Sequence, residues 1–306
     1  MRARVTIVPV ANPIGLGQVL QASHLGRFHL GTGQNFNRGF CDLARDVDVR
    51  LLVEEGGGGA DIRSRVRSAF AAHCSAAAAS AGSELDGLRL LLLQHACTAD
   101  FVLDLHCCFD ASRHLFTLPS QAAIFSSLAA RLNCAAVLTA EVSGGNSFDE
   151  ACSVPWQTLS RLYPHAGFDP DTCASCTVEL GGMADTEPSV AAASCEAILS
   201  FLWEKNCIAK CGGVDGCDFL PPPSPTCDAT PLAAVHEVMP PHSGVVSFMV
   251  EIGARVSRGQ PLFQICDPVS DKLTTVLSPA DGCMYNRERL RFAQPGLWIC
   301  KVTYAS

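Results

Sequence analysis

The chain has 306 residues, a length that suits about two domains, and 48% of them are hydrophobic against 17% charged, which excludes disorder throughout. Thirty acidic residues oppose 22 basic ones for a net charge of −8, with no Lys/Arg block, so neither a nucleic acid nor an anionic membrane is expected as a partner. The longest apolar run, around Leu88 to Leu93, is far too short to span a bilayer.

At the start of the chain, Val5-Thr6-Ile7-Val8-Pro9-Val10 reads as a buried strand closed by Ala11-Asn12-Pro13. Pro9 and that turn do not suit the apolar core of a secretory leader, so a cytoplasmic location is expected. The 17 scattered cysteines fit that expectation as reduced, buried side chains rather than a disulfide framework. The closest pairs are Cys173/Cys176 and Cys207/Cys211. A structural zinc site needs four converging ligands, so one C-x-x-C favours core packing and leaves a cysteine zinc site as the alternative.

A polar loop with glycines follows from Gly15 to Gly39, and the run Gly56 to Gly59 reads as a flexible surface loop. Ile62, Val66 and Phe70, spaced by four, predict a helix from Asp61 into Ala76–Ala79, ended by the loop Ser80-Ala81-Gly82-Ser83. Phe101 to Leu105 predicts a second buried strand that delivers His106 at its C-terminal end. A helix over Ala122–Leu132 and short strands at Ala135–Leu138 and Thr177–Leu180 come next, the last stopped by Gly181-Gly182. Val190–Trp203 predicts a helix with an apolar face at Ala193, Ala197 and Phe201. Strands alternating with helices give an α/β class with an at least partly parallel sheet. Pro221-Pro222-Pro223 and Pro225 then mark a linker over 217–226 between a domain at 1–216 and one at 227–306. Beyond it, Gly244-Val245-Val246, Gly253-Ala254-Arg255-Val256, Gly259-Gln260-Pro261-Leu262 and Pro279-Ala280-Asp281-Gly282 predict a small all-β module.

Ligands in open α/β sheets bind beyond the carboxyl ends of strands, where His106 and Glu179 fall. A histidine ending an apolar strand is more often packed or hydrogen-bonded than a ligand. A glutamate within Val178-Glu179-Leu180 is harder to explain as structure, because a buried carboxylate is costly unless paired or catalytic. Asn37-Arg38 is a third candidate: arginine offers a fixed fork for a carboxylate, although such a pair in a loop is usually plain surface.

Seven stretches stand in a telling order. They are Pro9 to Gln18, Gly26-Arg27-Phe28, Asn35-Phe36-Asn37-Arg38, Asp104-Leu105-His106-Cys107, Phe148-Asp149-Glu150-Ala151, Pro155-Trp156 and Thr177-Val178-Glu179-Leu180. In that order the chain resembles the succinylglutamate desuccinylase/aspartoacylase family of the zinc carboxypeptidase-like superfamily. The resemblance implies a carboxypeptidase-like mixed sheet flanked by helices and a zinc-dependent hydrolase that cleaves the amide of a small N-acyl amino acid. It places His106 at the family's third zinc ligand, with Asp104 beside it. Glu179 stands at the residue that takes a proton from zinc-bound water and passes it to the leaving amine. Asn37 and Arg38 stand at the pair holding the substrate carboxylate, and Arg27 at the arginine polarising the scissile carbonyl.

Two features depart from the family pattern. No His-x-x-Glu, which would supply the first two zinc ligands, lies between Met1 and Asn37, and Gly181 replaces the arginine expected after Glu179-Leu180. The first expectation is therefore a truncated chain of an active hydrolase. A pseudoenzyme or small-anion binding module that keeps the fold without the metal is the alternative, and completion of the metal site by other residues is a third. The stretches Pro241 to Val246, Gly253 to Val256 and Gly259 to Leu262 resemble the barrel-sandwich hybrid domain of lipoyl and biotinyl carriers. Asp271-Lys272 matches the carriers' modified position, but Cys266 to Ser270 lengthens the approach, and Lys272 is expected as an exposed, unmodified hairpin lysine.

Overall fold

The computed structural model describes residues 3–55, 60–209 and 221–304. The Asn12 side chain accepts the Gly15 N–H at 2.8 Å and starts the one-turn helix α1, Pro13–Leu16. A hairpin of β1 (Val19–Leu20) and β2 (Ser23–His24) follows, then the short helices α2 (Leu43–Asp46) and α3 (Arg50–Glu54). Two long helices come next, α4 (Ala60–Ala79) and α5 (Glu84–Ala96), the latter capped by Ser83, whose Oγ accepts the Asp86 N–H. The middle of the chain alternates β3 (Phe101–Cys108), β4 (Asp110–Ala111), β5 (His114–Thr117), α6 (Ala122–Arg131), β6 (Ala136–Thr139), α7 (Phe148–Leu162), β7 (Ala174–Gly182) and α8 (Pro188–Glu204). The last third consists of strands with a 3-10 turn at Leu232–Ala234: β8 (Ala229–Pro231), β9 (His236–Val238), β10 (Gly244–Phe248), β11 (Arg255–Val256), β12 (Pro261–Cys266), β13 (Leu273–Leu277), β14 (Gly282–Arg287), β15 (Phe292–Ala293) and β16 (Cys300–Val302).

The class is α/β. A five-stranded mixed sheet of order β3-β7-β5-β6-β8 is flanked by helices, and β5–β6 and β6–β8 pair in parallel. Two antiparallel sheets, β13-β12-β10-β15 and β11-β14-β16-β9, make up the C-terminal part. The chain divides into two compact units, Thr6–Asp104 with Glu141–Cys176, and Met1–Val5 with Leu105–Ala140 and Thr177–Ser306.

The first of these units is a helical pack. Ile62, Val66, Phe70 and Cys74 along α4 are all buried, as their spacing by four requires. They meet Leu93 and Ala96 of α5, Trp156 and Leu159 of α7, and Phe168 in one apolar core. The second unit holds β5, β6 and β8 with α6 and α8, and the C-terminal strands. There β4 pairs antiparallel with β14, and Tyr285 and Cys283 pack on Ala136 and Leu138. Val246, Leu262, Phe263, Ile265, Met284 and Val302 fill the space between the two antiparallel sheets.

Four expectations are corrected. Residues 5–10 form no strand, and Ile7 is 79% exposed; a strand exists through ladder bonds to a neighbour, and this segment joins no described ladder. The β3 strand forms and runs on through His106 to Cys108, but it is half-exposed because it edges its sheet, with Leu105 at 52%. The β7 strand continues through Gly181 and Gly182 instead of stopping before them. On α8 the buried face is Ser194, Ala197, Ser200 and Phe201, while Ala193 faces solvent one position off the stripe. The predicted loop at Gly56–Gly59, Cys211, and the first part of the 217–226 linker lie outside the described residues. Among the described residues no helix is long and apolar enough to cross a membrane. Cys173 and Cys176 are fully buried, and Lys272 is exposed between β12 and β13.

Candidate functional site

In the helical unit, the loop that carries Asn37 and Arg38 is built turn by turn. The Asn35 side chain accepts the Asn37 N–H at 2.9 Å, an Asx turn. Gly39 then takes φ +74°, and its N–H reaches the Gly145 carbonyl at 2.7 Å while the Phe40 N–H reaches that of Asn146. The receiving loop is itself left-handed: Gly144, Gly145 and Asn146 have φ of +97°, +77° and +53°. A Cβ at Gly145 would lie 2.8 Å from the Arg38 Cδ, so the bare backbone makes room for the arginine stem.

The Asn37 side chain does not point at open space. Its Oδ1 accepts the Phe148 N–H at 2.8 Å, satisfying an orphan donor at the start of α7, and its Nδ2 donates to Asp104 Oδ2 at 3.3 Å. Arg38 differs: its Nη1 donates to the Asn37 carbonyl at 2.6 Å, and it makes no ion pair among the described residues. Arg27 is exposed, with its guanidinium 5.8 Å from the centre of the Phe28 ring.

Acidic groups gather beside Asn37. Asp149, buried in α7, accepts from the Ser147 hydroxyl at 2.5 Å, and burial pushes its carboxyl above the usual carboxylate range, helped by the charges of Asp104 and Glu150. Ser153 and Ser175 bond to each other, and Ser175 donates to the Asp149 carbonyl. In the sequence Asp149 and Glu150 stand out only as part of a motif and Gly145 not at all; the tandem Gly144-Gly145 before an asparagine is the signal that marks this loop.

In the other unit, His106 sits half-buried on β3 and Glu179 half-buried on the neighbouring strand β7. Glu179 shares its surroundings with Cys107 and Asp185. The Cys107 thiol is pushed up first by burial and then by the charges of Glu179, Cys108 and Asp185. Asp185 Oδ2 accepts the Gly182 N–H at 2.7 Å and lies 2.5 Å from where a Gly181 Cβ would stand. The glycine at that position, in place of an arginine, thus lets the Asp185 carboxylate fold back over the strand end.

Zinc at a catalytic site takes three protein ligands and keeps one position for water. Among the described residues no three His, Cys, Asp or Glu side chains come together so as to hold a metal ion. His106 alone supplies the expected donor, and this donor set does not fit zinc.

No family model and no curated protein matches the sequence. Solved structures do. A protein from Shewanella frigidimarina NCIMB 400, assigned as a succinylglutamate desuccinylase/aspartoacylase, superposes with a TM-score of 0.81 at 22% identity, over 96% of this chain and 78% of its own. A protein from Shewanella amazonensis SB2B, assigned to the same family, gives 0.79 at 23%, over 96% and 79%. The succinylglutamate desuccinylase/aspartoacylase from Rhodobacter sphaeroides gives 0.55 at 14%, over 92% and 71%. The chain therefore has the fold of the succinylglutamate desuccinylase/aspartoacylase proteins.

Proposed function

We propose that the chain is a deacylase of the desuccinylase/aspartoacylase type, acting on the amide bond of a small N-acyl amino acid. The observation that carries this reading is the shared fold over 96% of the chain; within it Glu179 lies half-buried on β7. In this reading Arg38, free of ion pairs among the described residues, contacts the substrate carboxylate, and Arg27 neutralises charge on the carbonyl oxygen. Glu179 takes a proton from the attacking water and hands it to the leaving amine. His106 remains the residue through which a zinc ion would be held, and no step is assigned to the ion, since the described donors do not make a site for it. The fifteen free cysteines of the described residues support a reducing, cytoplasmic location.

One observation favours a second reading. That no three metal donors gather among the described residues fits a protein that binds a small acyl amino acid as an anion without hydrolysing it. Amine release from a panel of N-acetyl and N-succinyl amino acids, with and without added Zn2+, separates the two. The first reading expects turnover that falls at least about a hundredfold in Glu179→Gln. Turnover untouched by that substitution rejects the mechanism. Binding of the same compounds unaffected by a chelator, with no amine released, establishes the second reading.

A further inference from the structure

Arg89 lies on α5, an element the sequence pattern did not reveal, and only 6% of it is exposed. A guanidinium is rarely buried unless it organises something, and burial pulls this one below the usual arginine range. Its acidic neighbour is a weak partner: Asp86 Oδ1 is 3.4 Å away on a side chain 54% exposed. The closer bonds go to the loop before Arg38. Nη1 donates to Gln34 Oε1 at 3.1 Å and Nη2 to the Asn35 carbonyl at 2.9 Å. The same guanidinium closes over Gly39, where a Cβ would stand 3.4 Å from Nη1.

The loop is thus pinned on both sides of Arg38. Arg89 holds residues 34 and 35, the start of α7 holds Asn37, and the Gly145 and Asn146 carbonyls before it hold Gly39 and Phe40. Arg38 is the residue between these anchors whose charge is left without an ionic partner among the described residues. We infer that Arg89 is a positioning residue: it fixes the backbone from which Arg38 presents its guanidinium to a substrate carboxylate. This rests on the reading of Arg38 as the carboxylate contact. A lysine cannot replace the fork, because one ammonium group does not span the Gln34 amide and the Asn35 carbonyl in the same plane.

The test is calorimetric titration of the full chain with N-acetyl-L-glutamate, alongside urea unfolding. Arg89→Lys is expected to raise Kd about tenfold. Gln34→Ala, which removes one exposed partner and leaves Arg89 in place, is expected to raise Kd severalfold with an unchanged urea midpoint, an effect that a purely structural bond would not produce. Where turnover is measured, KM rises with kcat unchanged, since neither variant touches Glu179. Arg38→Ala is the control. If Arg38→Ala weakens binding while Arg89→Lys and Gln34→Ala bind as the parent does, the inference fails and the functional reading stands. If Arg38→Ala binds as tightly as the parent, or the parent does not bind the probe, the carboxylate reading fails and Arg89 loses its role with it.

Discussion

His114 makes the second unit acid-sensitive in a way that one substitution should erase. Its ring is 1% exposed, held by Nδ1–H donating to the Ser112 carbonyl at 2.8 Å, with ring centres 4.9 Å from Tyr285 and 5.3 Å from Phe116. Burial is the main cause that lowers its pKa from 6.5 to about 4; the Lys301 charge pushes the same way and the Ser112 bond opposes. A base whose folded pKa is lowered takes up its proton more readily when unfolded, so stability is complete above pH 6.5 and is lost as pH falls towards 4. The whole shift corresponds to roughly 3 kcal/mol, of which about 2 kcal/mol is lost by pH 5. His114→Phe keeps a ring in the same space and removes the titration, at the loss of one hydrogen bond worth about 1 kcal/mol. The variant is therefore less stable than the parent at pH 7 and more stable at pH 5, with the curves crossing at roughly pH 6. Urea unfolding at pH 7, 6 and 5, followed by far-UV circular dichroism, reads this directly. A difference between the two proteins that stays constant across these pH values would refute the reasoning.

Three further outcomes follow from single contacts. Asn37→Ala leaves the first N–H of α7 without its acceptor and should lower stability by about 1–2 kcal/mol in urea unfolding, whatever it does to ligand binding. Gly145→Ala places an L side chain at φ +77° against the Arg38 stem; a loss of about 1–2 kcal/mol is expected, with weaker binding of carboxylate probes in the same titration. Asp110 accepts from Arg287 Nε at 2.8 Å and Arg291 Nη2 at 2.9 Å, and these bonds outweigh burial to hold its carboxyl below the usual range. That stabilisation is present above the ordinary carboxylate pKa and is lost as pH falls through the lowered one. Asp110→Asn should therefore cost about 1 kcal/mol at pH 7 and nothing in strong acid, as read by thermal unfolding at the two pH values.

What the sequence made legible depended on whether a local rule was also the global one. The α4 stripe could be read because Ile62, Val66 and Phe70 repeat at helical spacing and face one core. The helix α5 was missed because its leucines, Leu90 to Leu93, run together and hide the period, although Ser83 followed by Asp86 was a usable cap signal. In α7, Pro155 in the interior masked a helix that Ser147 and Glu150 announce in capping-box spacing. Residues 5–10 have the composition of a strand, but composition does not supply the neighbouring strand that makes one. At the candidate site the residue types were readable and their engagements were not. Asn37 was expected to meet a ligand, and its bonds to Asp104 and Phe148 could not be read from the sequence. Arg89 went unnoticed because nothing local links residue 89 to residues 34 and 35.

The scattered cysteines also give the protein a built-in clock. Cys74 and Cys173 are fully enclosed in the helical unit, and Cys134 and Cys300 in the other; burial, with a Cys97 hydrogen bond at Cys74, pushes each thiol up to about 12. A thiol alkylates as its thiolate, so these four stay silent towards iodoacetamide until their surroundings open. Cys195, exposed, is labelled early and marks the zero of the trace. With reporters native to each unit, the order in which peptides acquire the label records which part of the molecule opens first and how often, without a fluorophore or an engineered residue.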